Sequence, residues 1–225
     1  MTKVKICGIR LPEHALVAAT AGADYVGMIF ADSRRRVTIE QGAAIVDAVR
    51  THFTSSRPLL VGVFANQPAD EINAVADACR LDLIQLSGDE LWDMSKELNR
   101  PVIKAMRVAV GRTSQSVIAE LDKESSPLLH AGGRCLLESL VDGQFGGTGQ
   151  GLDLSIAKDV ARNFPILLAG GLTPENVGDA VRTVRPWGVD VSSGVETDGV
   201  KDTDKIRAFI TAVKVADAAQ EKPTR

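Results

Sequence analysis

The chain has 225 residues, a length that fits one α/β barrel and is long for a single sandwich or a small open sheet. A 44% hydrophobic content supplies ample core, and a formal net charge of −3 leaves no basic excess of the kind a nucleic-acid binder carries. The opening MTKVKICGIR lacks the apolar centre of a signal peptide, and no apolar run approaches the ~20 residues of a membrane helix, so a soluble protein without nucleic-acid or membrane partners is expected.

Taken in chain order, short apolar runs read as strands at Val4 to Cys7, Tyr25 to Phe30, Leu59 to Phe64, Leu83 to Leu86, Val102 to Met106, Cys135 to Leu137, Ile166 to Ala169 and Val189 to Val191. Helical periodicity fills the gaps, over Pro12 to Ala21, Ile39 to Arg50, Ala69 to Cys79, Glu90 to Leu98, Ser114 to Leu121, Ser155 to Arg162, Pro174 to Val184 and Thr203 to Ala216. Thr173 before Pro174 reads as a helix start, and Gly22 as the close of the first helix. Strand–helix alternation predicts a parallel sheet with right-handed crossovers, and eight such units close most economically into a TIM (β/α)8 barrel. The reading is therefore a single domain over residues 1–225, with a tail after about 216 expected to fray. A doubly wound sheet is the weaker alternative, because no G-x-G-x-x-G follows the first strand. Cys7, Cys79 and Cys135 show no metal-ligand spacing and suit a reducing compartment, the cytoplasm.

In such a barrel the chemistry sits at the carboxyl ends of the strands, which selects Cys7, Phe30, Asn66, Gln85, Arg107, Glu138, Gly170 and Asp190 with their following loops. A thiol at the end of the first strand, just before a helix, serves as a base or nucleophile once its pKa falls; otherwise it is a small buried hydrophobe. Glu138 leaves an apolar strand ahead of a glycine-rich loop, where an unpaired carboxylate would be costly or would titrate high. LAGGLTPENV and DVSSGVE place Gly170, Gly171, Ser193 and Gly194 after the last two strands, where backbone N–H groups and helix N-termini suit a phosphate. The run SRRRV, Ser33 to Val37, is a solvated face unless one arginine forks onto a carboxylate. Asp190 either binds sugar hydroxyls, orients a neighbour or ties down its own loop. His14, His52 and His130 lie away from the strand ends. From the residues alone the chain is a barrel enzyme for a phosphorylated small molecule, with a thiol and a carboxylate placed to move protons as an aldose–ketose isomerisation requires.

KICGI at Lys5 to Ile9, VGVFANQ at Val61 to Gln67, GGTG at Gly146 to Gly149, GGLTPENV from Gly170 and VDVSSGVE at Val189 to Glu196 follow one another in an order that resembles the phosphoribosylanthranilate isomerase family of tryptophan biosynthesis. The resemblance spans nearly the whole chain. It implies an Amadori rearrangement of N-(5-phosphoribosyl)anthranilate to 1-(2-carboxyphenylamino)-1-deoxyribulose 5-phosphate, with no metal or organic cofactor, by a monomer or homodimer. It places the general base on Cys7, the anthranilate carboxylate on Arg35, the phosphate on Gly171, Ser193 and Gly194 with Gly147 and Gly170 nearby, and the family's strand-eight aspartate on Asp190. Two positions depart from the family pattern: Glu138 stands where the family's acid is an aspartate, and Ser87 where the family commonly has histidine. The extra methylene of Glu138 displaces the carboxyl by roughly 1 Å unless the backbone adjusts, a scale at which catalysis can lose ~100-fold. Two other readings compete: a silent phosphosugar-binding barrel, and an isomerase of the histidine pathway's bisphosphate, which asks for a second phosphate site.

Overall fold

The computed structural model describes residues 1–109, 111–139 and 154–220. Eight parallel strands close into a barrel in sequence order: β1 (Lys3–Ile6), β2 (Tyr25–Ile29), β3 (Leu59–Phe64), β4 (Leu83–Leu86), β5 (Val102–Val108), β6 (Arg134–Ser139), β7 (Ile166–Ala169) and β8 (Gly188–Val191). The predicted TIM barrel is the observed fold. The runs at β3, β4 and β7 match residue for residue. Closure is made by β8 pairing back onto β1, with Lys5 opposite Asp190 and Ile6 opposite Val191.

The helices are α1 (Pro12–Ala21), α2 (Ile39–His52), α3 (Ala69–Ala78), α4 (Ser114–Glu124), α5 (Ser126–His130), α6 (Leu154–Ala161), α7 (Val177–Val184) and α8 (Thr203–Gln220). Period-2 alternation along the strands separates two cores. Tyr25, Val61, Leu83, Ile103, Leu136 and Leu167 fill the barrel, while Val26, Leu60, Ile84, Leu137 and Leu168 meet the helices. Gly22 does close α1, at φ +102°, with its N–H on the carbonyls of Ala18 and Ala19. A left-handed residue here suits glycine, which has no Cβ to clash.

Several other boundaries shift by a few residues and α5 has no counterpart in the sequence reading, but three differences have a clear physical cause. The stretch from Glu90 to Leu98 forms only a 3-10 turn, Trp92–Lys96, because Glu90 is drawn inward by polar partners. Its Oε1 accepts the Asn66 N–H at 2.7 Å, and Oε2 accepts from the Gly88 N–H at 3.0 Å and from Lys104 Nζ at 3.1 Å. Both members of that ion pair are buried, and the bonds a buried carboxylate requires override the helical pattern, leaving Leu91 in solvent. The helix expected from Pro174 starts at Val177 instead, since Asn176 folds back: its Oδ1 accepts the Thr173 N–H at 2.8 Å, and its Nδ2 donates to the Gly171 carbonyl at 2.9 Å.

The third difference is at the end of the chain. Helix α8 runs past Ala216 to Gln220, with Ala216 and Asp217 buried. Asp217 accepts from the Thr2 N–H at 2.6 Å and the Thr2 hydroxyl at 2.7 Å, so the last helix is tied to the start of β1. Removing that acceptor orphans the Thr2 donors. Asp217→Ala should therefore destabilise the fold by about 1–3 kcal/mol in urea unfolding; a change under a few tenths of a kcal/mol would show that the clasp is incidental.

Candidate active site

The carboxyl end of β1 carries Cys7, buried in the barrel mouth, whose N–H bonds to the Val191 carbonyl of β8 at 2.8 Å. The next residue, Gly8, has φ +73°, and a Cβ there would fall 2.7 Å from Arg35 Cδ and 2.9 Å from the Ser192 hydroxyl. The chain can thus turn sharply beneath Arg35 only as glycine. Two residues before Cys7 on the same inward face, Lys5 is fully buried, its Nζ 3.0 Å from Asp190 Oδ1. Burial pushes the Cys7 thiol above its ordinary range, and the Lys5 ammonium beside it pulls the other way.

The arginine run resolves residue by residue. Arg36 turns back through an N–H bond to the Ser33 carbonyl, Val37 bonds to Ile29 of β2, and Thr38 caps α2 in a reciprocal bond with Gln41. That turn sends Arg35 inward, its side chain 16% exposed, while Arg34 stays 63% exposed. Arg35 forks onto Glu196, with Nε at 2.6 Å from Oε1 and Nη2 at 2.9 Å from Oε2. The bidentate geometry expected of this arginine is present, on an internal carboxylate.

Glu196 comes from a feature the strand reading did not register. After β8 the chain makes a short 3-10 turn, Ser193–Val195, then a hairpin of β9 (Glu196–Thr197) and β10 (Val200–Lys201). Its two-residue turn places Asp198 at φ +51° and Gly199 at φ +78°, the Asp-Gly pairing suited to a primed turn. Glu196 and Lys201 are thereby set directly opposite each other and bond at 2.7 Å, both almost wholly buried. Lys201 also donates to the Ser192 carbonyl at 2.8 Å. Although burial pushes the Glu196 carboxyl up, bonds from Arg35 and Lys201 outweigh it and bring it down to about 2. For Lys201 burial wins, and its pKa is lowered.

The two glycine loops meet. Gly170 and Gly171 have φ +96° and +63°, and a Cβ on Gly194 would lie 1.8 Å from the Leu172 carbonyl oxygen. Backbone from the β7 and β8 loops is therefore in direct contact, in a form only glycine permits, with Ser193 exposed alongside. Asp190, at the end of β8, gives its carboxylate to the Lys5 ammonium, which suits the second of its expected roles, orienting a neighbour.

Glu138 ends β6 partly exposed, opposite Arg107 of β5 in register, with Arg107 Nε 3.8 Å from its Oε2. Ser87 accepts from Gln85 Nε2 at 2.9 Å through its hydroxyl and from Arg107 Nη2 at 2.7 Å through its carbonyl. Arg107 thus lies between the two positions that depart from the family pattern. Gly147 and the GGTG loop fall outside the described residues. His14 is buried in α1, where burial lowers its pKa, and His52 and His130 sit at the ends of α2 and α5. Among the described residues, no group of His, Cys, Asp and Glu side chains is placed to hold a metal ion, and no helix is long and apolar enough to cross a membrane.

Fold and rim together define a (β/α)8 barrel whose candidate site lies at the carboxyl ends of its strands. The sequence model of the N-(5'-phosphoribosyl)anthranilate (PRA) isomerase family matches residues 4–212. The N-(5'-phosphoribosyl)anthranilate isomerase of Dehalococcoides mccartyi is 46% identical over 96% of this chain and 98% of its own. Among solved structures, monomers generated from the dimeric Thermotoga maritima phosphoribosylanthranilate isomerase superpose with a TM-score of 0.77 at 33% identity, over 96% of this chain and 100% of that one. A phosphoribosylanthranilate isomerase in complex with reduced 1-(o-carboxyphenylamino)-1-deoxyribulose 5-phosphate gives the same TM-score, identity and coverage. The chain belongs to the N-(5'-phosphoribosyl)anthranilate isomerase family, and it is an isomerase of tryptophan biosynthesis.

The Glu196 pairing carries a pH signature. A carboxyl held at about 2 when folded, against an ordinary 4.5, contributes stability that is present above 4.5 and fades as pH falls toward about 2. The difference in unfolding free energy between wild type and Glu196→Gln should therefore be largest above pH 4.5 and shrink between 4.5 and 2; a difference flat across that window would mean the pairing is absent in solution.

Proposed function

We propose that Cys7 is the general base and Glu138 the general acid of the Amadori rearrangement, acting on a substrate held at its two ends by Arg35 and the glycine rim. Support comes chiefly from one arrangement: Cys7 on β1 and Glu138 on β6 face the same barrel mouth, with the touching β7 and β8 loops between them. Glu138 protonates the furanose ring oxygen, the C1–O bond breaks, and the anthranilate nitrogen supplies the electron pair that forms the iminium. Cys7, as thiolate, removes the proton from ribose C2, whose acidity the adjacent iminium raises. The enolamine then takes a proton at C1 and loses the O2 proton, giving the ketone.

Backbone amides of Gly171, Ser193 and Gly194 receive the 5′-phosphate, with Gly170 providing the turn and Gly147 as a further candidate for binding it. The anthranilate carboxylate goes to Arg35. Glu196 holds this arginine by its Nε–Nη2 edge, so an incoming carboxylate meets a guanidinium already fixed in place. The glutamate at 138 reaches further from the strand than an aspartate would, and Arg107 beside it limits where the longer carboxyl swings. The cytoplasm suits a chain whose three cysteines are all free, and we assign the working form to a monomer or a homodimer.

Turnover of phosphoribosylanthranilate tests these roles. Cys7→Ser and Glu138→Gln should each lower kcat by ~100-fold or more with KM changed far less, whereas Arg35→Ala should mainly raise KM. Glu138→Asp should retain far more activity than Glu138→Gln. Equal losses across all four variants would refute the division of labour. In Glu138→Gln, where the acid no longer titrates, the residual kcat/KM should climb as pH rises from about 6 toward ~8.5, because the thiol works only deprotonated and burial raises its pKa; a falling profile in that variant would remove Cys7 as base.

A further inference from the structure

A lysine inside a barrel asks for an explanation. Around Lys5 the interior is filled by Tyr25, Val61, Leu83, Ile103, Leu136 and Leu167, and an apolar side chain at position 5 would continue that packing. Taking an ammonium and a carboxylate out of water costs several kcal/mol per ion before their attraction returns any of it, and such pairs are often replaceable by hydrophobic residues without loss of stability. Stability alone therefore does not account for Lys5 and Asp190. Their placement does: Lys5 and Cys7 are neighbours on one inward face of β1, and both press against Gly27 of β2. A Cβ at Gly27 would fall 3.0 Å from Cys7 Sγ and 3.3 Å from Lys5 Cε. The slot left by that glycine brings the lysine stem and the sulfur together, with the ammonium at the end of that stem bonded to the Asp190 carboxylate at 3.0 Å.

We propose that Lys5 is a positioning residue for the isomerisation: its buried ammonium, pinned by Asp190, stands against the Cys7 sulfur and sustains the thiolate that takes the C2 proton. The inference rests on the reading of Cys7 as base. Charged groups face the sulfur from three elements: Lys5 on its own strand, Asp190 from β8 and Lys201 from β10. From β2 there is only Gly27. Lys201 is committed to Glu196 and the Ser192 carbonyl, which leaves Lys5 as the cation packed beside the sulfur in the Gly27 slot. Asp190 completes the device. When Cys7 has accepted its proton and become neutral, Lys5 still has a counter-ion, so neither protonation state of the thiol strands a charge in the barrel.

The test reads the thiol directly, without substrate. In the full-length protein, the pH dependence of Cys7 alkylation by iodoacetamide, followed by peptide mass, gives the midpoint of thiolate formation. Lys5→Met should move that midpoint up by about one unit or more, a ~10-fold loss of thiolate at neutral pH, and lower kcat in proportion with KM nearly unchanged. Asp190→Asn should move the midpoint the other way, since it removes a like charge from beside the thiolate. Opposite shifts from the two halves of one ion pair are not what loss of a structural contact produces. If Lys5→Met does not fold, Lys5→Met/Asp190→Asn is compared with Asp190→Asn, and the added loss of Lys5 should again raise the midpoint. A midpoint unmoved by removing Lys5, on whichever background folds, overturns the proposal whatever happens to turnover. A raised midpoint with undiminished kcat upholds the contact and overturns instead the assignment of Cys7 as base.

Discussion

Pairing of β8 with β1 is the contact on which everything at the mouth depends. It closes the barrel, and its register sets Lys5 against Asp190 and fastens Cys7 to Val191. Residues 185 positions apart in sequence become neighbours, because closure leaves the inward side chains of the strand ends nowhere to go but one shared mouth. The Cys7 thiol and the glycine-bearing loop after β8 are therefore brought to one place by a single strand pairing. Thr2 and Asp217 reinforce the same seam from the outside, tying the last helix to the first strand.

Charge is distributed around that seam in a way that keeps each buried ion answered. Lys5 has Asp190, Lys201 and Arg35 share Glu196, and Lys104 has Glu90. Buried pairs of this kind need not add more stability than apolar residues in their place, but they fix geometry, since a misplaced or missing partner leaves an unanswered charge. At the mouth this fixes the plane of the Arg35 guanidinium and the electrostatic surroundings of the Cys7 sulfur, the two groups on which the proposed chemistry rests. Glu138 and Arg107 differ from these, lying partly in solvent, where an ion pair is weakly held.

Much of this was legible in the sequence. Alternating apolar runs located the strands because fully buried parallel strands are nearly continuous in hydrophobicity, and the barrel-end rule then placed Cys7, Arg35, Glu138 and the late glycines at one rim. What escaped were residues whose roles depend on pairing across elements. Lys5 reads as a surface residue until β8 closes onto β1. Glu196 and Lys201 needed the Asp198–Gly199 turn to be recognised as a hairpin, which would have put them directly opposite each other. Glu90 to Leu98 has a helical pattern that fails because one carboxylate finds three donors inward. Asp190 was placed at the correct strand end, but its partner lies below the mouth and not in it.

The most direct test of the account is the rate at which the C2 bond of phosphoribosylanthranilate breaks in a single turnover, measured with hydrogen and with deuterium at ribose C2, for wild type and Cys7→Ser. Transfer of that proton to the thiolate requires the deuterated substrate to react more slowly in wild type and the bond to break ~100-fold or more slowly without the thiol. Cleavage by Cys7→Ser at the wild-type rate would contradict the account at its centre.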